Sequence, residues 1–91
     1  AMKYVLAVSA LLLSIGCNAE PMSEGEARFR ICGACHGAQG EGGIGPALAG
    51  RDIAALLRSF KAGEGNAIMV SQASGLTPEQ IEAIAAYVKT L

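Results

Sequence analysis

Tryptophan is absent from this 91-residue chain, and only four aromatic side chains are present: Tyr4, Phe29, Phe60 and Tyr87. So few large rings cannot fill a generous core. There is no basic excess either. Seven Lys and Arg stand against eight Asp and Glu, a net charge of −1, which leaves no electrostatic footprint for nucleic acid. Charged residues make up 16% and hydrophobic residues 52%, which excludes a disordered tail. No repeat, low-complexity tract or strand-like alternation is visible. The longest apolar run, Tyr4 to Ile15, is too short for a bilayer core of ~30 Å, which takes about 20 residues. One small domain remains, of a size that usually needs a staple: a disulfide, a metal or a bound group.

The N-terminus reads as a targeting segment. Lys3, the apolar run and the small residues Gly16-Cys17-Asn18-Ala19 form a secretory signal over residues 1–19. Two cleavage points compete. A cut ahead of Glu20 has the small residues Cys17 and Ala19 in the right places. A cut ahead of Cys17 uses Leu13-Ser14-Ile15-Gly16-Cys17, which resembles a bacterial lipobox with Ser14 where leucine is usual. Cys17 would then carry lipid and tether the domain to a membrane. Either cut puts the domain, residues 20–91, in the periplasm or otherwise outside the cytoplasm, where a bare thiol pair is not expected to stay reduced.

The rest predicts three to four helices around glycine-rich loops. Ser23 and Glu26 fit a capping box opening a first helix that stops at Gly33 or just beyond, before His36. Seven glycines between Gly33 and Gly50 predict loop. Asp52 is the expected N-cap of a second helix bearing Ile53, Leu56, Leu57 and Phe60, ended by Gly63. One helical turn is expected near Asn66 to Gln72. Thr77-Pro78-Glu79-Gln80 is the strongest start signal, opening a last helix with Ile81, Ile84, Ala85, Val88 and Leu91 at helical spacing.

The chemistry sits in Cys32-Gly33-Ala34-Cys35-His36. C-x-x-C-H is the attachment signature of c-type haem. Cysteines three apart near a helix end lie on one side and can reach two vinyl groups of one porphyrin. The following His36 is carried under the ring toward the iron. A tetrahedral zinc site wants four Cys or His ligands, a thioredoxin-like pair expects a βαβ context, and a plain disulfide leaves the histidine unexplained. His36 is the single histidine, so a bis-histidine haem within the chain is excluded. Of the methionines, Met2 lies in the signal and Met22 ahead of the first helix, which leaves Met69 as the candidate sixth ligand. A ligating histidine must also donate its second ring N–H to an acceptor.

These residues resemble the class I c-type cytochromes over essentially the whole of Gly25 to Tyr87. Gly43-Ile44-Gly45-Pro46-Ala47-Leu48 is similar to the G-x-G-P-x-L loop of that family. Gly25 and Phe29 stand where the family crosses its first helix over the last, and Tyr87 where the last helix supplies the aromatic partner. The resemblance implies the all-α class I cytochrome c fold wrapped around one haem. It also implies Met69 as axial ligand and the Pro46 carbonyl as acceptor for His36. Arg51 is either a partner of a haem propionate or a solvated surface residue. Asn66 either touches the Met69 sulfur or caps a turn. The stretch Phe60 to Gly75 further resembles the haem subunit of flavocytochrome c sulfide dehydrogenase.

Haem would also supply the apolar surface that the chain lacks, with Ile31, Leu48, Ile53, Leu56, Leu57, Phe60, Ile68, Ile81, Ile84 and Val88 around it. The expectation is a secreted one-electron carrier with one covalent haem c and His36/Met69 ligation. It would be a monomer in transient contact with redox donor and acceptor proteins, and not an enzyme. A haem-bearing subunit of a dehydrogenase is the alternative. An open-site sensor or peroxidase would require Met69 not to bind.

Overall fold

The computed structural model describes residues 21–91. The signal region 1–19, with Cys17 and both cleavage readings, lies outside the described residues. Four helices follow one another: α1 (Glu24–His36), α2 (Ala54–Lys61), α3 (Ala67–Ala73) and α4 (Pro78–Lys89). Among the described residues there is no strand, so the fold is all-α as expected. None of these helices is long and apolar enough to cross a membrane.

Each end has a local cause. Ser23 Oγ accepts the Glu26 N–H at 3.1 Å, but only this arm of the expected box forms, because water serves an exposed N-terminal amide equally well. The C-terminus of α1 corrects the sequence reading: the helix does not stop near Gly33 but runs through His36. Loop amides take over the orphan carbonyls of its last turn. Gly45 N–H donates to Cys35 O and Gly42 N–H to His36 O, both at 2.7 Å. Gly37, at φ 89°, makes the left-handed exit that a side chain would resist.

The start of α2 also differs. Its N-cap is Ile53, which makes no side-chain capping bond, and Asp52 Oδ1 accepts the Ala54 N–H only at 3.4 Å. Burial of Ile53 in the core sets this boundary. The single turn expected near Asn66 is a two-turn helix, α3, and Asn66 is its cap: Oδ1 accepts from Ile68 N at 2.9 Å and Met69 N at 3.3 Å. At α4 the full capping box forms, with Thr77 Oγ1 accepting Gln80 N–H at 3.1 Å and Gln80 Oε1 accepting Thr77 N–H at 2.9 Å.

Packing follows from one close crossing. Gly25 is buried against α4. A Cβ there would collide with the Ala83 carbonyl and come within 2.9 Å of Tyr87 Cβ. Phe29 then meets Tyr87 with ring centroids 5.7 Å apart and planes tilted by 57°, a favourable aromatic geometry. Phe29, Leu48, Ile53, Leu57, Ile81, Ile84, Ala85 and Val88 form one core. The helix α2 packs on α3 and α4, whereas α1 packs on α4 and its backbone stays clear of the backbones of α2 and α3.

Candidate haem site

The gap between α1 and the α2–α3 pair holds the site. Two clefts open there. The larger, about 230 Å³, is lined by His36, Pro46, Leu48, Arg51, Ile53, Leu56, Leu57, Phe60, Asn66 and Met69. The smaller, about 100 Å³, is lined by Arg28, Ile31, Cys32, Leu57, Met69, Gln72, Ala73, Leu76 and Ile84. Leu57 and Met69 border both.

His36 is 7% exposed and is the sole buried polar residue among those described. Its Nδ1 lies 2.7 Å from Pro46 O. A carbonyl oxygen only accepts, so Nδ1 carries a proton and donates it to Pro46, which leaves Nε2 as the ring nitrogen available to a ligand. Gly45 lets the loop lie flat on the imidazole, since a Cβ there would sit 2.8 Å from His36 Cε1 and 2.9 Å from Nδ1. Ring plane, tautomer and direction are therefore set by α1 and by the Gly45–Pro46 backbone. Cys32 is half-buried and Cys35 exposed, both as free thiols. Burial pushes the Cys32 thiol up, partly offset by a backbone hydrogen bond.

The structure sorts the sequence-predicted residues. Cys32 and Met69 both line the smaller cleft, and His36, Pro46, Arg51 and Met69 share the larger. Arg51 is exposed at its rim, with Nη1 donating to Ala47 O at 3.4 Å. Of the expected lining, Ile68 is out of place: it is 69% exposed and borders neither cleft. The cap at Asn66 fixes the rotation of α3, and consecutive helical residues point about 100° apart, so turning Met69 inward turns Ile68 out. Ile81 and Val88 also line neither cleft and serve the helix core. Arg28 and Gln72 were missed. They stand one helical turn from Cys32 and Met69, a spacing that the motif itself supplies.

These residues fit a covalently attached haem. Two thiols and an imidazole stand on α1, a thioether stands on α3, the two helix backbones stay apart, and the clefts between them are mainly apolar. Among the described residues no group of three or more His, Cys, Asp or Glu side chains could cage a bare ion.

Residues 20–88 match the family described as cytochrome C oxidase, cbb3-type, subunit III. The chain belongs to that family. It is a class I c-type cytochrome domain. The cytochrome is 41% identical to the Cbb3-type cytochrome c oxidase subunit CcoP of Rubrivivax gelatinosus over 74% of this chain and 25% of that protein. It thus spans about a quarter of the length of that relative. It is 29% identical to cytochrome c-553 of Nitratidesulfovibrio vulgaris, over 99% of this chain and all of that protein. Its cofactor is a covalently bound haem c with iron, and the domain is an electron-transfer module.

Proposed function

We propose that Cys32 and Cys35 would attach the haem and that His36, through Nε2, and Met69, through its sulfur, would hold its iron. On this reading the cytochrome carries one electron at a time outside the cytoplasm, passing it to or within a respiratory oxidase. The observation that carries the reading is the separation of α1, with His36, from α3, with Met69, across a shared apolar cleft. When bound, haem supplies a one-electron couple. The chain's own residues do the rest: Pro46 holds the Nδ1 proton, the apolar lining excludes water, and Met69 supplies a ligand type that raises the potential. The 41% identity to CcoP supports an oxidase as the electron acceptor, and the 29% identity to cytochrome c-553 supports a one-haem electron-transfer domain.

The haem-loaded wild type is expected to be six-coordinate and low-spin when oxidised, with a weak near-infrared sulfur-to-iron band. Met69→Ala removes that band, lowers the potential and admits cyanide or carbon monoxide. A high-spin wild type overturns the ligation. Acid–organic extraction leaves the colour on the protein if the thioethers form, and free extraction overturns the attachment.

A further inference from the structure

We infer that Glu41 is a positioning residue for His36, acting through the turn of residues 37–42. Its carboxylate folds back over the exit of α1. Oε1 accepts the Gln39 N–H at 2.9 Å, and the carboxylate occupies the space beside Gly37, where a Cβ would lie 2.6 Å from Glu41 Cδ. The backbone N–H groups of Glu41 and Gln39 hold the carboxyl below the usual carboxylate range, as expected where donors favour the charged form.

The turn so fastened reaches the iron-side residues from both of its ends. Gly42, next to Glu41, donates to His36 O at 2.7 Å. Gly40 accepts from Leu48 N at 2.8 Å and Ala49 N at 3.0 Å, which ties down the strand of chain that carries Pro46. Glu41 thus fixes the distance between the helix end that bears the imidazole and the loop that bears its acceptor. A firm Nδ1–H bond to Pro46 makes the imidazole a better donor to iron and so favours the oxidised state. Loosening the turn should weaken that bond and raise the reduction potential.

The inference rests on His36 as axial ligand, and its test separates the two. Glu41→Ala and Glu41→Gln are compared with wild type as full haem-loaded chains. Both lose the charge, but Gln keeps an acceptor oxygen where Glu41 Oε1 stands. In Glu41→Ala the Gly42 and Gly45 amides should exchange about tenfold faster, the factor that one lost charge-assisted hydrogen bond is worth. The His36 Nδ1–H resonance should shift, and the potential should rise. Glu41→Gln should restore most of all three. Equal potentials in the two variants, collapsing together as salt is added, would show a through-space charge effect and overturn the inference. So would unchanged Gly42 and Nδ1 protons in Glu41→Ala. If the wild type proves not to use His36, the Gly42 and Gly45 exchange rates still decide the role of Glu41 in holding this turn.

Discussion

His36 illustrates how few atoms set a haem ligand. One backbone carbonyl fixes its proton and one missing side chain fixes its plane. Adding a methyl at Gly45 would push the ring off both. Gly45→Ala should therefore cost about 1–3 kcal/mol, the usual price of overpacking, and a thermal melt read beside the low-spin spectrum checks it. A loss of stability with an unchanged spectrum would mean that the loop yields and the ring does not. Cys32 gives a pH signature to the chain before haem attachment. Its thiol titrates above its ordinary value because burial disfavours the thiolate. The stability tied to it is fully present below the unfolded thiol pKa and is lost as pH rises through the folded one. The haem-free chain should melt earlier as pH climbs past about 8.5, whereas the thioether-linked form should show no such step. The same transition in both forms would assign it to another group.

At the scale of elements, the legible parts of the sequence were those with local chemistry. The Thr77–Gln80 box needs only nearby residues and forms as read, Asn66 takes the capping one of its two readings, and the Gly25/Phe29/Tyr87 crossing, which the family resemblance implied, also forms. Both misplaced boundaries have a cause outside their own segments. The helix α1 outlasts Gly33 because amides of Gly42 and Gly45 come back to its carbonyls, which no local propensity encodes. The N-cap of α2 falls on Ile53 because the core takes that side chain. Glu41 belongs to no motif, and its bridge over Gly37 follows from the backbone path of the turn, which no local pattern encodes. Two substitutions test the elements. Gly25→Ala should force α1 from α4 and destabilise by about 1–3 kcal/mol. Thr77→Ala should remove one arm of the box for about 1 kcal/mol. Chemical denaturation with a common slope measures both, and a neutral Gly25→Ala would mean that the helices separate without loss.

For the whole molecule, the question is what partner surface the fold leaves. Ile31, Ile44 and Ile68 are 72%, 91% and 69% exposed, so large apolar side chains remain outside the core. The contrast between a free carrier and a fixed oxidase subunit is read by purification from the native source. A single haem chain eluting alone supports the carrier. Partner subunits at fixed stoichiometry through high salt would make it a subunit, and mass analysis of the N-terminus would show the fate of Cys17.

The separation of the α1 backbone from the α2–α3 pair also bears on motion. The molecule is built like two covers on the spine of α4, and in the proposed ligation the iron is the latch between them. A ligand that raises the reduction potential binds reduced iron more tightly than oxidised iron, by linkage. Taking an electron away should therefore loosen the latch, and the α2–α3 cover should swing open more often as one cooperative unit. Amide exchange in Ala54 to Ala73 should run faster in the oxidised protein than in the reduced one, while α1 and α4 keep the same rates. The electron count of the iron would then be legible in the breathing of one half of the backbone.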